Sequence, residues 1–401
     1  MTTPGAMRAI PRLRAYRGPA LLSYGFRPFF FLGACQAALG MALWLPAFEG
    51  EIAIPSLFTP RDWHVHEMLF GYLAAVLTGF LLTAIPNWTG RLPLQGAPLL
   101  GLVMVWLAGR VAVSWSAHLG IAAAVIDAAF LVLVVAAAAR EIIAGKNWRN
   151  MRVLIPVAVL ALANVGFHVE AHAVGSAAFA TRTGIAAILV LIMLIGGRII
   201  PSFTHNWLAH ANPGRLPKPF GRFDAVAIAV GGIALCAWIA SPDHALSGAL
   251  LGLAALIHGI RLARWAGDRT TRERLVMVLH VAYGFVPLGF ALASLAAFAL
   301  VPHSAGIHAW MAGAAGTMTL AVMTRASLGH TGQELAAGPG TQFVYAAVVF
   351  AALARIAAAL FPAWMLVLLH AAAAGWIAAF AGFVLLYGPL LFRARLQPLR
   401  P

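Results

Sequence analysis

The stretch Trp63-His64-Val65-His66-Glu67-Met68-Leu69-Phe70-Gly71 places two imidazoles and a carboxylate at the mouth of an apolar run that continues to Ile85-Pro86. Ionisable side chains at the edge of a bilayer are rare unless they face a bundle interior, a water-filled cavity or a bound ion. The run therefore predicts a membrane helix whose first turns carry a site.

The rest of the chain extends that reading. Of its 401 residues 62% are hydrophobic and 10% charged, and the mean hydropathy is +0.88. An ordinary soluble domain has far more charge. Apolar segments near the length that crosses a bilayer, about 20 helical residues, recur throughout with short polar breaks. An all-α polytopic bundle of about twelve transmembrane helices is expected. The spans run from Phe26 to Leu45, His64 to Pro86, Ala97 to Trp115, Ala117 to Ala139, Met151 to Ala171 and Ala178 to Ile200. They continue from Phe223 to Ala240, His244 to Ala263, Leu275 to Leu300, His303 to Thr324, Phe343 to Leu360 and Ala363 to Leu390. A basic arm (residues 1–23), a single membrane domain (24–392) and a short basic tail (393–401) follow from this partition.

The formal charge of +15 belongs to short loops between apolar runs, where Lys and Arg set orientation and need no nucleic acid partner. With an even number of spans and the N-terminus inside, all basic residues except Arg61, Arg110, Arg182 and Arg355 fall on the cytoplasmic side or at cytoplasmic helix ends. Both termini are expected in the cytoplasm. Cys35 and Cys236 lie in apolar segments and read as packed residues; two cysteines cannot build an all-cysteine iron-sulfur site. No convincing internal repeat stands out.

Fourteen histidines are many for so apolar a chain. The spans put His64, His66, His118, His168, His172, His244, His303, His308 and His370 towards the outer face, with Glu67 and Glu170. His205, His210 and His330 fall at the inner edge, while His258 and His280 lie deeper. Imidazole ligates copper, iron and zinc, and haem iron commonly takes an axial histidine. His168 and His172 share a helix face, about 40° apart, whereas His64 and His66 differ by about 200° and address different neighbours. His118, His244 and His303, each at a helix start, read as interfacial; His66, His168 and His308 have polar company inside or against a span. Asp127, Asn164, Arg198 and His280 need partners in hydrocarbon, Arg198 by reaching the inner interface.

Four stretches together resemble the NnrS family. They are Asp62-Trp63-His64-Val65-His66-Glu67-Met68-Leu69-Phe70-Gly71, Ala84-Ile85-Pro86-Asn87-Trp88-Thr89-Gly90, Gly196-Gly197-Arg198-Ile199-Ile200-Pro201 and the run from Met318 to Gly332 that contains Thr324-Arg325-Ala326-Ser327-Leu328-Gly329-His330. The resemblance, from about Tyr24 to the last helix, implies a bacterial inner-membrane protein of twelve helices that contains haem and copper and is linked to nitric oxide metabolism and nitrosative stress. It implies functional histidines at His64, His66 and His330, and extends to His168, His280 and His308. Cofactor binding is thus expected at His66, His168, His280 and His308, and metal ligation at His64, His66, His168, His172 and His308. The expected partners are lipid, a gaseous ligand such as nitric oxide and an electron donor. Two other classes use the same histidines: a metal or small-solute permease, and a haem-bearing regulatory or assembly protein without turnover.

Overall fold

The computed structural model describes residues 16–395; the ends of the basic arm and of the tail lie outside the described residues. Among the described residues all regular structure is helical. Twelve long helical segments carry the chain, and the labels that follow are ours. They are α1 (Phe26–Phe48), α2 (Pro60–Thr89), α3 (Ala97–Ser114), α4 (Ile121–Ala144), α5 (Met151–Val174), α6 (Ala178–Ala211), α7 (Arg222–Ala240), α8 (Ala245–Ala263), α9 (Arg274–Ala297), α10 (303–331), α11 (Pro339–Leu360) and α12 (Met365–Phe392).

Eleven of them are long and apolar enough to cross a membrane. The exception is α10, which is helical throughout but carries His303, His308 and Arg325 among many glycines and threonines. Large apolar side chains point away from protein, as in Ile121 at 85% exposure and Leu385 at 76%, which suits surfaces bathed in lipid. Inside the helices, hydroxyls return to the backbone: Thr78 donates to the Ala74 carbonyl at 2.7 Å and Thr83 to Gly79 at 2.7 Å. Cys35 and Cys236 are free.

Within the single stretch expected from sequence, the contacts fall into two compact units. One holds the chain to Thr181 with Ala326–Gln333 and residues 384–395; the other holds Arg182–Arg325 and Glu334–Phe383.

Three helices are locally unwound into π turns: α2 at Glu67–Leu73, α6 at Ile192–Gly196 and α10 at Ala309–Gly316. Such turns insert a residue into the helical ladder and recur at functional sites. They expose a correspondence that the sequence hid. In α2 the π turn directly follows His66, and in α10 it directly follows His308. From those histidines Gly71, Gly90 and Gly96 stand at the same intervals as Gly313, Gly332 and Gly338. Gly90 and Gly332 both take left-handed backbone, with φ of +68° and +80°. Gly96 and Gly338 both precede the first residue of the next helix. The expectation of no repeat is corrected: α2 and α10 carry one pattern, too sparse in side chains to see without the backbone.

Around Arg110 and Asp127 close approach needs two glycines. A Cβ on Gly71 would lie 2.7 Å from Arg110 Nη1, and one on Gly109 would lie 3.2 Å from the Asp127 Cα and 3.1 Å from its Oδ1. The α4 backbone cannot retreat as a flexible side chain would. Gly109→Ala should therefore lower stability by about 1–3 kcal/mol, the usual cost of overpacking. Thermal unfolding of the purified protein in detergent measures it, and an unchanged midpoint would contradict the close α3–α4 packing.

Candidate metal centre

α2 begins where Thr59 caps it, accepting from the Asp62 N–H at 3.2 Å, with Pro60 preset in the first turn. Two turns later the π turn opens, with His66 and Glu67 at its start and both fully buried. Four helices surround them. His66 Nε2 lies 3.1 Å from Asp127 Oδ2 on α4 and 3.1 Å from Asn164 Oδ1 on α5, and His66 Nδ1 lies 3.2 Å from Glu67 Oε1. His168, one turn beyond Asn164, places Nε2 2.9 Å from the same Asp127 Oδ2. Arg110 on α3 donates to Glu67 Oε1 at 2.6 Å and to Asp127 Oδ1. Gln36 on α1 closes the ring by donating to Glu67 Oε2 at 2.5 Å. Phe58, Phe70 and Phe167 pack their ring centroids 5.2–5.3 Å from the His66 ring.

Charge accounting shows what the cluster lacks. Two carboxylates face one guanidinium, so with neutral imidazoles the buried group carries one net negative charge. Unpaired charge in so dry a place is costly. Two species balance it: a proton that turns His66 into a double donor towards Glu67 and Asp127, or a bound cation. The donor atoms suit the second. Among the described residues, His66, Asp127 and His168 are the one group of His, Cys, Asp or Glu whose ligand atoms, three in all, lie mutually within 4.8 Å. Two imidazole nitrogens and a carboxylate oxygen suit a first-row transition metal. Arg110 and Glu67 fix the ligands from behind, as the outer partners of metal sites do, while Asn164 Oδ1 lies on the His66 Nε2 side that a metal would take. A porphyrin does not fit at His66, because both ring nitrogens face protein groups and three aromatic rings cover the imidazole.

The other expected residues fall elsewhere. His64 stacks on Trp44 with ring centroids 4.2 Å apart, directed away from His66 as the helical angle requires. His172 is exposed and outside the cluster. His280 and His308 belong to the second unit, where they sit at different depths. Gly306 of α10 abuts Ala293 of α9, so His280, thirteen residues earlier on α9, lies about 17 Å from the level of His308 along the helix axes. His280 meets the Thr204 hydroxyl at 2.8 Å, and His308 Nδ1 donates to the Ser304 carbonyl at 2.6 Å. The structure thus brings together His66 and His168 but not His64, His172, His280 or His308. His118, His244 and His303 are exposed, as interfacial residues should be; His244 caps α8 and His303 meets Asp243 at 2.7 Å. Arg198 is exposed, which suits an arginine reaching the interface. His330 packs against Tyr24 and Phe26.

Charge counting placed Arg110 towards an outer helix end, and it does lie four residues before the last residue of α3; what sequence reasoning missed is that it turns inward to two carboxylates. The available signal was its neighbour: α3 is joined by a short turn to a helix with a lone aspartate. It also read Arg261 as a loop residue, whereas Arg261 is fully buried in the second unit and donates to Asp224 Oδ1 at 3.0 Å.

Arg110→Leu strips both carboxylates of their cation and should destabilise the protein by about 3–5 kcal/mol. Adding Glu67→Gln should recover part of the loss, since one negative charge goes with the positive one. Denaturation of the single and double variants checks this, and a double variant weaker than Arg110→Leu would refute the charge accounting.

No curated protein matches the chain closely enough to count as a relative. The family model described as NnrS protein matches residues 20–395, nearly the full length, and the chain belongs to the NnrS family.

Proposed function

We propose that this NnrS-family membrane protein holds one transition-metal ion, copper by family expectation, on His66, His168 and Asp127, and that it serves nitric oxide metabolism or resistance to nitrosative stress. The observation that carries the reading is the three-donor cluster with its uncompensated negative charge, fully buried in an apolar bundle. A bound copper ion would supply a site for nitric oxide and a one-electron couple. The chain's own groups do the rest. Arg110 and Gln36 hold Glu67, Asn164 Oδ1 lies beside the nitrogen of His66 that would take the metal, and the His66 Nδ1 to Glu67 Oε1 contact both orients the ring and can store a proton. Nitric oxide, small and neutral, reaches such a place through hydrocarbon, where charged competitors do not follow.

Haem is the second expected cofactor. Since His66 has no space for it, His308 is the candidate that the family resemblance leaves: its Nδ1–H donates to a backbone carbonyl, which orients the ring as an outer partner orients an axial histidine. The family resemblance points to the bacterial inner membrane, and the distribution of Lys and Arg to both termini in the cytoplasm.

Metal analysis and a reduced-minus-oxidised spectrum of the purified protein test the cofactors. His66→Ala, His168→Ala and Asp127→Asn should each lower bound copper by about 10–100-fold or more, whereas His280→Ala should leave it unchanged. His308→Ala should remove a Soret band and spare copper. Parental copper content in all three cluster variants would sink the proposed centre. Orientation is checked separately: cytoplasmic reporters fused at either end should be active, and periplasmic ones silent.

A further inference from the structure

The second unit contains a buried polar group that the proposed metal centre does not use. Tyr283 of α9, with 0% exposure, places its hydroxyl 2.9 Å from His258 Nδ1 and 2.8 Å from Arg261 Nη1, both on α8. Arg261 is held by Asp224 Oδ1 at 3.0 Å and by the Met193 carbonyl at 3.0 Å. A guanidinium can only donate, so it occupies a lone pair of the phenol oxygen. In the tautomer that carries its proton on Nε2, His258 offers Nδ1 as the acceptor for the phenol proton, and that is the arrangement in which the phenol proton has a partner. His258 Nε2 makes no hydrogen bond; it faces Gly231 and the Met193 sulfur, with the Ala227 backbone as its polar neighbour. The phenol thus has a proton acceptor in place, and Asp224 neutralises the guanidinium beside it.

Rings extend from this pair in both directions. Trp265 lies edge-on to Tyr283 at 4.6 Å between centroids. On the other side His258 stacks on Phe290 at 5.5 Å, Phe290 meets Trp310 at 5.2 Å, and Trp310 meets Trp238 at 5.2 Å. All six are at most 2% exposed. Trp238 sits near the last residue of α7 and Trp265 just past the last residue of α8, at opposite ends of an antiparallel hairpin, about 27 Å apart along the helix axes. A greasy core has no need of a phenol, an imidazole and an ion pair within such a column.

We propose that Tyr283 and His258 form a proton-coupled redox pair, and that the aromatic column carries oxidising equivalents through this unit. In the step, Tyr283 gives one electron to a one-electron oxidant and its phenol proton to His258 Nδ1. The O–H bond breaks and an N–H bond forms, leaving a neutral tyrosyl radical beside an imidazolium. With nitrogen dioxide radical as oxidant the product is nitrite, whose negative charge balances the imidazolium. That choice of oxidant rests on the nitric oxide reading. The pair itself does not, and the test uses an external oxidant so that the two can fail separately.

The full-length protein in nanodiscs is photo-oxidised with a ruthenium polypyridyl complex and persulfate, then frozen for electron paramagnetic resonance. The parent should give a tyrosyl spectrum that Tyr345→Phe leaves unchanged and Tyr283→Phe reduces at least about tenfold. His258→Gln keeps the phenol and the side-chain volume but removes the base, and should slow radical formation by about a hundredfold, the contribution expected of a positioned base. It also serves if Tyr283→Phe fails to fold. A tyrosyl signal of parental size in Tyr283→Phe, or parental kinetics in His258→Gln, overturns the proposal. So does oxidation confined to exposed tryptophans in the parent.

Discussion

Arg110 lies buried between Glu67 and Asp127, and the helices around His66 are arranged about that fact. A guanidinium facing the interior of a membrane bundle is tolerated only when its charge is answered and its donors are filled. Answering it takes a carboxylate from α2 and another from α4, and these fix the two helices against α3. Gly71 and Gly109 follow, because side chains there would occupy the space of the guanidinium and the aspartate. Trp106, one turn before Arg110, donates its indole N–H to the Gly71 carbonyl at 3.0 Å, satisfying a backbone group at the π turn. The imidazoles of His66 and His168 then fill the remaining face of Asp127.

The two units solve the same electrostatic problem with different arithmetic. In the first, two carboxylates meet one arginine, and the excess of negative charge favours a proton or a metal ion beside His66. In the second, Asp224 pairs with the buried Arg261 at 3.0 Å and with the partly exposed Arg264 at 3.9 Å, so no excess of negative charge stands where His258 and Tyr283 meet. An imidazole in the first setting is drawn towards a cation. One in the second is left neutral, available to receive a proton from its neighbour.

Much of this was legible before any coordinates. Helix-length apolar runs separated by basic loops gave the fold class and nearly all the spans. His66 and His168 stood out because a polar group in an apolar run needs a reason. The partners did not stand out. Arg110 and Arg261 resembled the many arginines that orient loops, since composition alone does not separate a cation at a helix end from one aimed inward. Asp127 was recognised as needing company, but the company came from helices whose register the sequence leaves open. The kinship of α2 and α10 rests on one histidine and three glycines in common register, a signal that backbone geometry amplifies and residue similarity does not.

The charge pair between α3 and α4 also bears on biogenesis. Each of these helices carries an ionised residue, one to two turns from the end where the helices join, that opposes insertion when presented singly to lipid. The turn from Trp115 to Gly120 is short enough for the two to meet as a hairpin. Their partition into the bilayer is then a joint event, with the ion pair made before lipid is met. Lengthening that turn would leave every side chain of the finished site in place and still endanger the protein, at the moment when a nascent arginine leaves the translocon without its aspartate.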